Sequence, residues 1–443
     1  MTEPAPSAGP SAPDPAPPTI SRRQVAAAVI GNGLEFYDFT TYAYFAVQIG
    51  HSFFPGQSAF ASVMLSLATF GAGFLLRPIG SVVIGRYADR VGRRPAMIFS
   101  FSLMGVAILG LALTPNFARI GILAPLLVLM WRLTQGFALG GEVGPTTAYL
   151  VEASPPGKRG FYGAWQGASQ SIASLVGGLV GVSLAHGFGA ASLESWGWRV
   201  AFLLGALALP FGLVLRRSLP ETLHRPEAAS HVHPASASLG AHRRVIVLGL
   251  ALITASTIST YVFSYMTTYA ITTLHMPPEI SLGATVANGA FGLVATLAGG
   301  FLCDRFGRKA LMIWPRIGFL IATYPAFYLM VRNHDALTLL TATAVLSILG
   351  SLTTAAALVA ITESLRKEIR GATMGAVYAT AVALFGGTTQ LVIHWLIHVT
   401  GDPLSPAWYM IASILIGLVA SLMMKETAPR LAPIRAGPLA AHS

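Results

Sequence analysis

Residues 85–94 read Gly85-Arg86-Tyr87-Ala88-Asp89-Arg90-Val91-Gly92-Arg93-Arg94, a charged stretch flanked on both sides by apolar runs. The pattern occurs twice. Gly300-Phe301-Leu302-Cys303-Asp304-Arg305-Phe306-Gly307-Arg308-Lys309 matches it position for position, 215 residues later. One such string can arise by chance in a basic protein. A second copy, set in the same place between another pair of apolar runs, makes the chain two copies of one unit.

The solvent of this chain follows from its composition. Of 443 residues, 54% are hydrophobic and 10% charged, with mean hydropathy +0.64. A soluble domain carries about 25% charged residues, so the excess apolar surface needs lipid. A membrane-crossing helix takes roughly 20 apolar residues. Twelve runs suit that length, near 24–48, 60–84, 95–114, 120–143, 160–186, 198–215, 245–271, 281–302, 310–331, 336–361, 372–398 and 406–424. The formal charge of +11 would point to an acidic partner in a soluble protein, but here its placement reports topology. With both ends and every second loop on one side, that side holds all but six of the 28 lysines and arginines. Arg119, Arg199 and Arg332 fall in the opposite loops, and Arg77, Arg132 and Arg316 lie inside apolar runs. The positive-inside rule makes both termini and the repeated loops cytoplasmic. The bilayer is expected to be the inner, cytoplasmic membrane, and nucleic acid is not an expected partner.

The repeat extends beyond its charged string. Glu152 and Arg159-Gly160 are answered by Glu363 and Arg370-Gly371, Trp198 by Trp408, and Glu221-Thr222 by Glu426-Thr427. Offsets drift from 215 to 205 while the order holds. The expected architecture is all-α: twelve transmembrane helices in two pseudo-symmetric six-helix bundles, at 22–217 and 244–427. Residues 1–21 and 428–443 are expected as cytoplasmic tails, the first disordered and without the basic and apolar regions of a signal peptide. Residues 218–243 are expected as a polar cytoplasmic linker. Its His224, His231, His233 and His242 lack the Cys or carboxylate support of a metal site, and the lone Cys303 excludes an internal disulfide. No metal or cofactor is expected.

The Gly-x-x-x-Asp-Arg-x-Gly-Arg-Arg/Lys string between runs two and three, and again between eight and nine, resembles the signature loop of the major facilitator superfamily. Gly31-Asn32-Gly33-Leu34-Glu35-Phe36-Tyr37-Asp38-Phe39, Arg77-Pro78-Ile79-Gly80 and Arg132-Leu133-Thr134-Gln135-Gly136 resemble its metabolite:proton symporter branch. Three stretches, Phe385-Gly386-Gly387, Tyr265-Met266-Thr267-Thr268-Tyr269 and Thr400-Gly401-Asp402-Pro403-Leu404-Ser405-Pro406, are more similar to that branch's citrate–proton symporters. The resemblance covers about residues 22–427. It implies a proton-coupled importer, active as a monomer, and a central cavity lined by helices one, four, seven and ten. The same branch carries oxoglutarate, shikimate and betaine.

Which residues would carry the chemistry? Glu35 and Asp38 lie mid-run, three residues apart and on nearly one helix face. Carboxylates at that depth are costly and normally face a watery cavity or a partner. Two within reach of each other resist being charged together, which suits a proton carrier; a structural ion pair with a neighbouring helix is the other reading. Arg132, near the middle of run four, keeps its charge and matches a carboxylate with its planar fork. It binds a carboxylate substrate, or holds Asp38 or Glu35 until one arrives. Gln135 follows one turn along the same face. Arg77 and Arg316 are expected to snorkel to the cytoplasmic interface; either, if turned inward, adds a second positive site for a polycarboxylate.

The second half lacks acids in its spans and offers neutral groups instead. Tyr261, Tyr265 and Thr268 share one face of run seven, and His394, with Thr388, Thr389 and Gln390, lies in run eleven. Gln166, Ser169 and Gln170 do the same in run five, and Tyr37 lies beside Asp38. Each can merely bond helix to helix; as a set they suit carboxylate and hydroxyl oxygens. His394 can titrate near neutral pH, although a satisfied buried histidine is commoner. In the loops, Asp89, Arg90, Arg93, Asp304, Arg305 and Arg308, with Glu142, Glu152 and Glu363, are expected to form a charge latch that closes the cytoplasmic side. Loop solubility and topology are the bland alternative.

The function expected from all this is proton-driven import of a small organic anion, citrate or a related tri- or dicarboxylate, by rocking of the two halves about a midplane site. Sodium is the less favoured coupling ion. Importers of zwitterions such as betaine or proline, and a non-transporting sensor, are the rivals. An exporter fits less well, because run five lacks the Gly-Pro pair that exporters of the superfamily carry. An enzyme fits least, since no metal-ligand spacing, phosphate-cradling loop or nucleophile–base arrangement is present.

Overall fold

The computed structural model describes residues 22–56, 58–140, 150, 154–155, 157–218, 243–365 and 370–428. These are helical almost throughout and form twelve spans, with no strand among them. Span 1 runs Arg22–Tyr44 and continues as Ala46–Phe53; span 2 is Ala59–Leu75 followed by Arg77–Val91. Span 3 is Arg93–Leu113, span 4 Leu123–Leu139, span 5 Arg159–Ser192 and span 6 Trp198–Ser218. The second half follows as span 7 Arg243–Thr272, span 8 Pro278–Phe306, span 9 Arg308–Asn333 and span 10 Ala336–Ser364. Span 11 is Arg370–Ala381 and Gly387–Thr400, joined by the π-turn Val382–Gly386, and span 12 is Ser405–Met423.

Each expected run is thus a helix, yet only nine helical segments among the described residues are both long and apolar enough to cross a bilayer by themselves. The shortfall has local causes. Span 1 carries Asn32, Glu35 and Asp38 in its middle and breaks at Phe45. Span 4 is described over 17 residues. Spans 5 and 6 follow one another through a kink at Gly189 (φ 71°) and the π-turn Leu193–Gly197, and count as one segment. Local chemistry sets the other ends and breaks. The Ser58 side chain accepts the Ala61 N–H at the start of span 2, and Asp335 accepts that of Thr338 at the start of span 10. The interruption in span 2 falls at Leu76, whose N–H donates to the Phe74 carbonyl that Pro78, having no N–H, leaves without its intrahelical donor.

Large apolar side chains project outward from many spans. Leu113, Leu207, Trp314 and Leu337 are each 69–74% exposed, a surface that suits lipid. Inside, the cores of the halves interlock. Tyr261, Leu282 and Val382 of the second half join the cluster built on Phe39, Phe70, Phe74 and Trp198. Ala46, Val47, Val63 and Leu67 of the first half join the one built on Val262, Tyr265 and Phe327. Span 5 lies along span 8 so closely that a Cβ on Gly160 would strike the Gly300 carbonyl and Cys303, and one on Gly289 would strike the Leu175 backbone. Span 2 meets span 11 in the same way at Gly71 and Gly387. The repeat is not copied atom for atom. Trp198 is fully buried against Phe53 and Phe202, whereas its counterpart Trp408 is half exposed beside Tyr324.

Candidate functional site

Span 1 brings Asp38 to face span 4. Gln135 bridges the two: its Nε2 donates to Asp38 Oδ2 at 2.8 Å, and its Oε1 accepts from Arg132 Nη1 at 2.6 Å. All three are buried, with Arg132 at 0% exposure. The guanidinium lies over three rings, 4.4 Å from the centre of Tyr42, 4.9 Å from Phe39 and 5.0 Å from Phe70, where cation–π attraction offsets part of its desolvation. Arg132 Nε and Nη2, and Asp38 Oδ1, have no hydrogen-bond partner among the described residues. A buried cation with two unused donors in a fixed fork has the geometry that pairs with a carboxylate or another oxyanion. Glu35, one turn earlier, is buried too.

Arg77 corrects the snorkelling expectation. Its guanidinium lies 4.6 Å from the Phe39 ring and 4.2 Å from Phe74, buried, with Nε unpartnered. Phe39 therefore has a guanidinium against it from span 2 and another from span 4. Tyr261 of span 7 closes this aromatic group from the second half, edge-on to Phe39 and Phe74. Sequence reasoning missed the group because Phe39, Tyr42, Phe70 and Phe74 at helical spacing read as plain core.

Arg316 corrects the same expectation but joins a different place. It is 2% exposed, donates to Ser421 Oγ at 3.0 Å, and borders a small cavity between spans 7, 9, 10 and 12. The remaining predicted residues divide. Tyr265 pairs its hydroxyl with His394 Nδ1 at 2.8 Å, and Phe60 of span 2 stacks on both His394 and His398. Thr268 Oγ1, His394 Nε2 and both amide atoms of Gln390 are buried without partners. These form a second polar patch, shared by spans 7 and 11. Gln166 and Ser169 serve mainly to tie span 5 to span 1: Asn32 Nδ2 donates to Ser169 Oγ at 2.6 Å and to the Gln166 carbonyl at 3.4 Å. Gln170 donates to Gln166 Oε1. Tyr37 points away, its hydroxyl donating to the Ala201 carbonyl of span 6.

The second repeated loop forms a network across the halves. Asp304 accepts the N–H groups of Gly160 and Phe161 at 2.8 and 2.9 Å, capping span 5 from the end of span 8. Arg308 pairs bidentately with Glu363 at 3.1 Å for both bonds, reaches Asp304 at 2.9 Å, and donates to the Cys303 carbonyl. Arg159 approaches Glu363 at 3.9 Å. Glu426, which the sequence marked only as a repeat partner, caps span 9 through the N–H groups of Arg308 and Lys309. Burial alone would raise its pKa, but the backbone donors of Ala428, Arg308, Lys309 and Thr427 outweigh it and hold the carboxyl below its ordinary value. A depressed carboxylate contributes stability above its unfolded pKa and loses it on acidification, so this cap persists at neutral pH. Arg305 is exposed, over the Phe306 ring, and Arg90 is exposed. Asp89 and Arg93 lie on spans 2 and 3 with side chains outside the description, and Glu142 and Glu152 fall outside the described residues.

The family model described as Major Facilitator Superfamily matches residues 28–302 and 274–441. A citrate-proton symporter of Salmonella typhi is 36% identical over 418 residues, 92% of this chain and 95% of that protein. A proline/betaine transporter of Salmonella typhimurium is 29% identical over 429 residues, covering 92% and 84%. Among solved structures, the partially occluded inward-open form of the E. coli xylose transporter XylE superposes with a TM-score of 0.71 at 18% identity, over 91% of this chain and 98% of that one. Repeat, twelve-span fold, family model and relatives coincide, and the chain belongs to the major facilitator superfamily.

Proposed function

We propose that this protein is a proton-coupled importer of a small organic anion, citrate or a related di- or tricarboxylate, working in the cytoplasmic membrane with the repeated loops inside. The observation that carries the reading is Arg132: a buried cation with unused donors, joined to a buried carboxylate by one glutamine. With Asp38 ionised, its charge offsets Arg132 through Gln135. When a proton from outside neutralises Asp38, the guanidinium is left uncompensated in a low-dielectric site, and an anionic substrate restores the balance. Proton and anion therefore favour each other's binding, and one carboxylate charge carried with one proton leaves the site with the net charge it had when empty. At the higher pH inside, Asp38 gives up its proton and the substrate loses its advantage. Arg77, whose guanidinium also lies against Phe39, offers a second carboxylate its partner. The greater similarity to the citrate-proton symporter than to the proline/betaine transporter, 36% against 29%, supports the anion over the zwitterion. Competition against uptake of radiolabelled citrate tests the choice: unlabelled citrate and 2-oxoglutarate should suppress it while betaine leaves it unchanged. Betaine uptake that citrate fails to inhibit would move the assignment to the zwitterion.

The Asp304 network serves in this reading as the inner latch, since it links the start of span 5 to the ends of spans 8 and 10. The lone Cys303, buried beneath Gly160, is a built-in reporter of its opening. Asp304→Asn removes a charged helix cap, a loss of about 1 kcal/mol, so labelling of Cys303 by a small maleimide should quicken about fivefold. An unchanged labelling rate would remove Asp304 from the latch.

A further inference from the structure

Another buried cation, Arg316, has surroundings unlike those of Arg132, Arg77 or the carboxylate-paired Arg308. Among the described residues, the cavity Arg316 borders is lined by no carboxylate, and its hydrogen bond goes to Ser421 Oγ. Arginine does not deprotonate to escape burial, and an uncompensated charge in a protein interior is among the costliest arrangements a fold can hold. The fold nevertheless makes room for it: a side chain on Gly417 would run into the guanidinium. Around the cavity stand hydroxyls from two further spans. Ser259, Thr353 and Thr354 donate to carbonyls of their own helices. Ser256 does not; its Oγ is buried and unpartnered, leaving its O–H to donate into the cavity. Phe319 and Ile414 supply the apolar wall.

We propose that this cavity is a binding site for one small monovalent inorganic anion, held between the Arg316 guanidinium and the Ser256 hydroxyl. The space is on the order of a single small particle, which suits one small inorganic ion and shuts out a tricarboxylate. The site is therefore separate from the Arg132 centre, and it does not depend on which substrate that centre carries. Because it is wedged between spans 7, 9, 10 and 12, its occupant steadies the packing of the second bundle.

Thermal unfolding of the purified full-length protein at fixed ionic strength, with chloride replaced stepwise by gluconate, tests this. Wild type should show a saturable rise in Tm with chloride, Arg316→Gln should show none, and Ser256→Ala should need severalfold more chloride for half the effect. A wild-type Tm indifferent to chloride overturns the proposal, as does an unchanged chloride response in Arg316→Gln. If Arg316→Gln fails to fold, Ser256→Ala decides: an unshifted half-saturation overturns the site. Loss of citrate stabilisation, rather than of chloride stabilisation, in Arg316→Gln would also overturn it and place Arg316 in the substrate path.

Discussion

Replacing Arg132 with lysine should lower uptake about a hundredfold or more while the protein still inserts and folds. Charge is kept in this variant, so the loss isolates what the guanidinium does beyond being positive. Its planar fork sits among Phe39, Tyr42 and Phe70 and spends one N–H on Gln135, which leaves the Nε and Nη2 donors aimed for a ligand. An ammonium is a compact, strongly hydrated point charge that reproduces neither the fork nor the ring contacts. A hydrogen bond to a charged group contributes about 1.5–3 kcal/mol. Losing two such bonds to substrate at the low end of that range is already about two orders of magnitude in binding. Uptake in Arg132→Lys above a tenth of wild type would mean that the substrate is not gripped by this side chain.

Asp38→Asn should separate transport from its driving force. Asparagine keeps the shape and still accepts from Gln135 Nε2, but it holds no proton to release and no charge to set against Arg132. It mimics the protonated, substrate-ready state on both sides of the membrane. Exchange of external labelled citrate for internal unlabelled citrate should persist, whereas accumulation driven by a pH gradient should fall to equilibration. The effect is large, because each coupled proton is worth about tenfold in accumulation per pH unit. Retained accumulation in this variant would shift the proton to Glu35, its buried neighbour one turn away.

Much of the architecture was legible because it follows from solvent. Lipid demands long apolar helices, and the twelve runs are where the spans lie, with small offsets at their ends. The repeat carried more than fold, since the pairings of Asp304, Arg308, Glu363 and Glu426 fall on positions the two copies share. At the site, spacing alone put Gln135 on the face of Arg132, but the meeting of span 4 with Asp38 came from the family's layout. Arg77 and Arg316 were misjudged for a physical reason. In a helix apolar all round, periodicity does not mark the inward face, so a cation can equally reach the interface or turn into the bundle. Aromatic rings decided it for Arg77, and a glycine and a serine on span 12 decided it for Arg316. Tyr37 shows the same limit in reverse, polar and adjacent to Asp38 yet turned toward span 6.

Whether an inward proton gradient loads the buried cation with an organic anion is decided in proteoliposomes containing the wild-type protein, with labelled citrate outside and a pH gradient, acid outside, imposed in sodium-free buffer. Citrate should accumulate well above equilibrium, and the accumulation should collapse when a protonophore is added. Accumulation that requires sodium would contradict the proton coupling, and no citrate entry under any gradient would contradict the substrate.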